Sequence, residues 1–312
     1  MTRSNSAGFI SLFLIVSVTG CQAPDTKPFD QFAQAVIALK GGADDTLTTE
    51  YTLARTRYEH KVLTSNDLTA LFLEPDRTDP FGWKSAANPP LYIELNKFKT
   101  GVGQLNDVFA TYATLLQQLA GSELIKQDDF DKMATDLNGS VTDAVKTLNP
   151  NASTDTTNGI ALFSTLASDA ARNYIEHRRT AELITILKEN QSNVENFAAL
   201  GATASRLIAQ DWQKEYIAKK VPWADSYMAA QGDDAKLAVI ETVLKENDNY
   251  MSTLETLRSL DAAYKKIPAA HQELLDSLQQ KTPLLAQITL LVSEAKHLQG
   301  LYAQLKQAPA QK

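Results

Sequence analysis

A run of apolar side chains spaced alternately four and three residues apart constrains the fold of this chain more than any other feature. Its members are Leu91, Leu95, Phe98, Val102, Leu105, Phe109, Tyr112, Leu116 and Leu119. This is the spacing of a heptad seam, in which one stripe of a long α-helix faces a neighbouring helix. The seam therefore predicts a helix that packs lengthwise against other helices.

Similar stripes recur along the chain. One of them predicts a helix face that begins after Gly232 and consists of Leu237, Ile240, Leu244, Met251, Leu254, Leu257 and Tyr264. Strand-like alternation of useful length is absent, and only 13 glycines and 11 prolines interrupt the good helix formers. We therefore predict an all-α fold, an elongated bundle of about six to seven helices over residues 29–306, several of them long with coiled-coil-like seams. Residues 307–312 are expected to form a disordered tail.

Glycine and proline mark the predicted helix boundaries. Gly41-Gly42 is predicted to break the first helix, Val221-Pro222 to end a helical segment, and Ile267-Pro268 to close the next one. Four prolines within residues 74–90 predict a long non-helical loop. Whether residues 157–219 form one helix or two stays open, because a polar stretch interrupts the pattern.

The first residues have the pattern of an export signal. A polar start containing Arg3 precedes an apolar run over residues 7–18, which Thr19, Gly20 and Cys21 follow. The run is too short to cross a bilayer, which needs about 20 residues, and has the length found in secretory signal peptides. Since Cys21 is the single cysteine, no disulfide can form within the chain.

Val18-Thr19-Gly20-Cys21 resembles the lipobox of bacterial lipoprotein precursors. The resemblance covers residues 1–21 and implies that residues 1–20 are a lipoprotein signal peptide. It implies cleavage between Gly20 and Cys21, and acyl chains such as palmitate on Cys21.

Residues 21–28 would then be the anchor and its tether. Residue 22 is Gln and not Asp, which by resemblance to Gram-negative sorting implies the outer membrane, facing the periplasm, in preference to the inner membrane. Several acyl chains would make membrane attachment effectively permanent.

The formal net charge of −7 argues against a nucleic-acid partner, which requires a basic surface. It also argues against broad attraction to anionic lipids. The expected partners are therefore the membrane, through the lipid anchor, and another envelope protein.

Metal and nucleophile chemistry lack a sequence signature. A di-iron bundle needs two Glu-x-x-His pairs, and this chain offers Glu294 with His297 alone. Neither a nucleophile elbow nor a phosphate-binding glycine loop occurs. His177 lies on an apolar stripe, as a core histidine or a pH-sensitive group. We predict no catalytic residue, no metal site and no cofactor.

Two groups of aromatic residues form the candidate interaction patch. The first surrounds the proline-rich loop and the second is interleaved with lysines; the members are Phe81, Trp83 and Tyr92, and Trp212, Tyr216, Trp223 and Tyr227. Three interpretations remain open: contact with a protein partner, residence at a membrane interface, and burial that closes off the core.

These features predict a membrane-anchored, non-enzymatic envelope lipoprotein that serves as a helical scaffold or protein-interaction module in the periplasm. The first alternative is a small-molecule or lipid binder, in which Gly201, Ala202 and Ala204 leave space for a pocket within the bundle. The second alternative is a metal-dependent enzyme.

Overall fold

The computed structural model describes residues 25–65, 91–121, 179–279 and 285–307. Within these ranges it contains five helices: α1 (Lys27–Ser65), α2 (Leu91–Ala120), α3 (Arg179–Ala229), α4 (Asp233–Leu278) and α5 (Ala286–Gln307). The described residues contain no strand, so the all-α prediction is confirmed for this part of the chain. The predicted signal peptide, the lipidation site, the loop 74–90 and all but the first residue of the predicted tail lie outside the described residues.

The heptad seam forms the buried face of α2. Leu95 and every seam member from Val102 to Leu119 are buried. At its centre, Phe109 stacks on Phe197 of α3 with ring centroids 4.6 Å apart and meets Phe32 of α1 edge to face at 6.1 Å. The seam therefore joins three helices in one core.

Most neighbouring helices around this core are antiparallel, whereas α1 and α5 pack side by side in the same direction. α1 and α2 are antiparallel, because Lys40 pairs with Asp107 while Gln117, farther along α2, donates to Asp30 near the start of α1. α4 runs antiparallel to α3 and to α5 and also contacts α1. The start of α1, the end of α2, the start of α3, the end of α4 and the start of α5 consequently share one end of the bundle, which we call the basal end.

The predicted break at Gly41-Gly42 is wrong, since α1 continues through both residues. Gly42 is needed for close helix packing: a Cβ added there would lie 2.9 Å from Cδ2 of Leu298 in α5. Glycine removes that clash and lets the two backbones approach. The burial of Leu39 and Ala43 on either side holds the helix in place.

The helix ends predicted at Pro222 and Pro268 are also wrong, because both prolines lie inside helices. An interior proline costs about 3 kcal/mol through its missing N–H and its ring clash. Around Pro268, the burial of Ile267 and His271 offsets that cost. Pro222 is exposed, so water can solvate the carbonyl that loses its donor.

The described part of the 157–219 segment is a single helix. α3 passes through the polar stretch without interruption, and Asn190 donates its side-chain amide to the carbonyl of Ile186 one turn earlier.

The space expected at Gly201 is filled. An added Cβ would lie 2.5 Å from Cε1 of Tyr264, so the missing side chain admits this ring against the backbone of α3. The Tyr264 hydroxyl donates to Oδ1 of Asn106 at 2.6 Å. At this position, small residues permit close packing and do not line a pocket.

Beyond the bundle, α3 and α4 continue as a pair of helices joined by a turn at residues 230–232. No residue from 213 to 252 is buried, and we call this segment the projecting hairpin. At 1.5 Å per residue each of its arms is about 25 to 30 Å long. Gly232 in the turn has φ +82°, a conformation that favours glycine. The hairpin points away from the basal end.

Candidate functional site

The projecting hairpin carries most of the large apolar side chains that the described structure leaves exposed. Eight of twelve lie on it: Ile217, Val221, Tyr227, Met228, Leu237, Ile240, Leu244 and Met251. Their exposed fractions range from 39% to 78%. Monomeric soluble proteins rarely leave so many neighbouring apolar side chains uncovered, so this surface is a candidate interaction site.

Seven of these side chains share one side of the hairpin. On α3, Ile217, Val221, Ala224 and Met228 follow heptad spacing and form one stripe. On α4, Leu237, Ile240, Leu244 and Met251 form another. Ala224, Ile240 and Leu244 also line the groove between the two helices. Residues at heptad spacing lie on one helix face, so both stripes open on the groove side. We call this surface the apolar face; it consists of Ile217, Val221, Ala224, Met228, Leu237, Ile240, Leu244 and Met251.

The groove has a volume of about 440 Å³ and a mostly apolar lining. Aromatic contacts hold its walls together. Tyr216 of α3 stacks on Tyr250 of α4 at 4.2 Å with ring planes 9° apart, and its hydroxyl donates to Oδ1 of Asn247 at 2.6 Å. Trp223 meets the edge of Tyr216 at 5.7 Å. These contacts fix the spacing of the two helices where packing against the bundle is absent.

The predicted aromatic patch is divided by the structure. Tyr216, Trp223 and Tyr227 all line the groove. Trp212 is 2% exposed and part of the core, so for this residue the structure supports the interpretation of burial and not a place in an interaction patch. Its indole is enclosed where α1 and α4 flank α3, and the guanidinium of Arg57 covers its face at 3.9 Å.

The other aromatic group is described only in part. Tyr92 is half-buried and packs against Tyr58 and Tyr51 of α1, with centroid distances of 5.3 Å and 6.4 Å. Its ring thus contributes to the contact between α1 and α2. Phe81 and Trp83 lie outside the described residues.

A buried carboxylate lies at the junction between the bundle and the projecting hairpin. Glu50 of α1 is fully buried and accepts a hydrogen bond from the hydroxyl of Thr253 at 3.3 Å. Burial raises the pKa of Glu50 to about 7, although Arg57, Thr253 and the neighbouring Trp212 favour its charged form. This carboxyl group is therefore half protonated near neutral pH.

Charged pairs continue from this junction along the outside of the hairpin. Glu246 of α4 pairs with Lys219 of α3 at 2.7 Å and with Arg57 of α1 at 3.8 Å. Burial raises the pKa of Glu215, while Arg57 and Lys219 oppose the shift. The pairs link α1 to the base of the hairpin on the side away from the groove.

A hydrogen-bonded chain crosses the bundle core at His271, which the sequence analysis did not single out. The Tyr112 hydroxyl lies 2.8 Å from Nε2, and Nδ1 lies 2.7 Å from Oε1 of Gln191. Because an amide oxygen only accepts, Nδ1 carries the proton and Nε2 accepts from Tyr112. Burial lowers the pKa of His271 to about 3, so the ring is neutral and structural. His177 lies outside the described residues.

The Glu294 and His297 pair does not converge on a common site. Glu294 accepts from the hydroxyl of Ser259 at 3.1 Å and pairs with Lys266 at 3.5 Å, whereas His297 is exposed. Across the four described ranges, no group of three potential metal ligands comes together. None of the helices in those ranges combines the length and hydropathy needed to span a bilayer.

One signal for the apolar face was present in the sequence. On α3, Tyr216 and Trp223 form one stripe, and Ile217 and Val221 form the adjacent stripe. The apolar arc is thus wider than a single neighbouring helix can cover. Periodicity predicted burial, but it did not show that the next helix covers only half of the arc.

No family model matches this chain, and neither the curated proteins nor the solved structures include a match. Its function is therefore inferred from its own residues and their geometry.

Proposed function

We propose that this protein is a membrane-anchored bacterial envelope lipoprotein that acts as a non-enzymatic helical scaffold or protein-interaction module in the periplasm. The observation that carries the proposal is the apolar face of the projecting hairpin, whose large side chains are about half exposed or more. Surfaces of this size and composition mark protein–protein contacts. The aromatic groove beside it supplies rings of the kind that dominate interface energetics.

The lipobox and the geometry of α1 support the anchored orientation. α1 begins at Lys27, so the tether from Cys21 spans at most about 20 Å. The projecting hairpin extends from the opposite end of the bundle, and α4 alone, with 46 residues, is about 69 Å long. An anchored molecule would therefore present the hairpin away from its own bilayer, which favours a protein over lipid as its partner.

The proposal extends to the whole body. We propose that the segments outside the described residues complete an elongated bundle of six to seven helices with coiled-coil-like seams. The ligand-pocket alternative is less favoured, because the ring of Tyr264 occupies the space beside Gly201.

Lipid labelling tests the anchor. Cells expressing the protein are grown with labelled palmitate, and membranes are separated by density. We expect the wild-type chain to carry label and to sediment with the outer membrane, and Cys21→Ser to lose both label and membrane association. Unlabelled wild-type protein, or unchanged membrane association of Cys21→Ser, would remove the location from the proposal.

Photo-crosslinking in intact cells tests the interaction surface. A photoreactive phenylalanine derivative replaces Tyr227 in the groove or, as a matched control, Leu290 of α5, which is 48% exposed. We expect a discrete crosslinked product from position 227 and none from position 290. The absence of any product specific to position 227 would count against the hairpin as the interaction surface.

A further inference from the structure

We propose that the projecting hairpin pairs with the hairpin of a second copy of this chain, with α3 of one copy lying against α4 of the other around a twofold axis parallel to the helices. The inference rests on the proposed function in taking the apolar face as the interaction surface. It goes further by naming the occupant as another molecule of the same protein.

The extent of the apolar face supports a partner of this size. Its side chains are about half exposed or more, and together they present on the order of 800 Å² of apolar surface, the area that one partner contributes to a standard interface. Among the described residues that line the groove, Lys220 alone is charged. A surface with this composition resembles a bundle core cut in half, as in obligate homodimers.

The register of the two stripes makes the face self-complementary. Tyr216 stacks on Tyr250 and Lys219 pairs with Glu246, which places Val221 level with Leu244 along the hairpin. By the same count, Met228 lies level with Leu237. A twofold axis parallel to the hairpin would therefore set Val221 and Met228 against Leu244 and Leu237 of the other copy, with each contact made twice, as an isologous interface requires.

Helical geometry favours the same arrangement. A four-helix unit in which neighbouring helices are antiparallel buries stripes that have heptad spacing. Both stripes of the apolar face have this spacing. Two copies held at their basal ends by a short tether would point their hairpins in the same direction. A twofold axis parallel to the hairpins keeps that shared direction, whereas a perpendicular axis would place the two basal ends on opposite sides.

Sedimentation equilibrium of the full-length protein in density-matched detergent tests the proposal. We expect the wild-type protein to be a dimer. Leu244→Glu should weaken the dimer by about a hundredfold or more, because two carboxylates would be buried in an apolar interface. Leu290→Glu, at a site 48% exposed against 55% for Leu244, should leave the dimer unchanged. A monomeric wild-type protein, or a dimer insensitive to Leu244→Glu, would overturn the proposal.

Cysteine pairing tests the arrangement directly. Two differently tagged variants, Val221→Cys and Leu244→Cys, are co-expressed and oxidised, with the wild-type chain reporting any background from Cys21. We expect most disulfides to join a chain that carries one tag to a chain that carries the other. Few disulfides should join two chains that carry the same tag. Crosslinks of position 221 with itself would indicate a perpendicular axis and overturn the arrangement. Dimerisation is measured without reference to the lipid, so failure of the dimer and failure of the anchor are told apart.

Discussion

Glu50 and His271 are both fully buried, and burial shifts their pKa values in opposite directions because it disfavours the charged form of each. Between about pH 4.5 and 7, folding leaves Glu50 with a proton that the unfolded chain has lost. The stability that this group contributes is thus lost as pH rises through 7. His271 is neutral when folded down to about pH 3, so its contribution is lost as pH falls below about 6.5.

Replacing Glu50 with Gln separates these two effects. Between pH 5 and pH 8 the wild-type chain loses the contribution of Glu50, whereas Glu50→Gln has no charge to desolvate. We expect the free energy of unfolding of the variant, relative to that of the wild type, to rise by roughly 2 to 3 kcal/mol between pH 5 and pH 8. Urea unfolding at the two pH values measures this change. Glu59→Gln, at an exposed site on the same helix, is the control. If the free energies of unfolding of the variant and the wild type differ by the same amount at both pH values, Glu50 is charged in the folded protein throughout this range.

Gly201→Ala tests the close packing of Tyr264 on α3. The added Cβ would lie 2.5 Å from Cε1 of a fully buried ring, and overpacking of this kind costs about 1 to 3 kcal/mol. Gly300→Ala is the matched control, because nothing lies within 4 Å of its added Cβ and alanine favours a helix by up to about 1 kcal/mol. Thermal unfolding should show the first variant destabilised and the second unchanged or stabilised. A stable Gly201→Ala variant would contradict the packing.

At the scale of the elements, the same two helices are stabilised in different ways along their length. Over residues 183–212 of α3 and 253–278 of α4, burial in the bundle supports the helix. Over the projecting hairpin, support comes from aromatic contacts and from the Lys219–Glu246 pair. Local stability follows buried contact, so in a single copy of the chain the hairpin should open more readily than the bundle.

Pro222→Ala tests this difference by hydrogen exchange. In the monomeric Leu244→Glu background, amides of residues 213–252 should exchange faster than those of residues 253–278. The substitution restores the missing N–H and removes the ring clash, an effect worth up to about 3 kcal/mol. Exchange over residues 213–229 should therefore slow while the bundle amides keep their rates. Unchanged exchange over the hairpin would show that Pro222 carries no such cost.

At the scale of the whole molecule, the described helices make an elongated shape. α3 has 51 residues and is about 77 Å long, although a compact protein of similar chain length has a radius of gyration of about 19 Å. The length separates the basal end from the apolar face. With the proposed anchor at the basal end and the proposed partner at the apolar face, this length would bridge a distance from the membrane.

Small-angle X-ray scattering tests this shape. A chain starting at Gln22 and carrying Leu244→Glu, to keep it monomeric, should have a radius of gyration of about 25 Å or more. Its largest dimension should be at least the length of α3. A radius of gyration near 19 Å, the value expected for a compact chain, would mean that the hairpin folds back onto the bundle.

The sequence predicted well where a pattern had one physical explanation. The α2 seam could only be a long packed helix, and its burial from Val102 to Leu119 is confirmed. Glycine and proline predicted poorly, because local propensity costs about 1 to 3 kcal/mol per residue and tertiary burial exceeds that. The roles of Gly42 and Gly201 depend on Leu298 and Tyr264, which are distant in the chain.

The candidate site was predicted in part. Tyr216, Trp223 and Tyr227 were named from the sequence and line the groove, whereas Trp212 was named with them and is buried. All four lie on one face of α3, so periodicity could not distinguish them. What separates Trp212 is that Arg57 of α1 covers its ring, whereas no residue from 213 to 252 is buried.

The amino-acid order alone determined that the described part of this chain is helical and which stripe of each helix is apolar, because the period of apolar residues follows from backbone geometry. It also contains Val18-Thr19-Gly20-Cys21, a linear motif that resembles the lipobox. Only the tertiary structure decided which stretches of those stripes are covered, since coverage depends on where neighbouring helices stop. α3 and α4 outlast their neighbours, and the same kind of stripe that forms the core therefore becomes an exposed face.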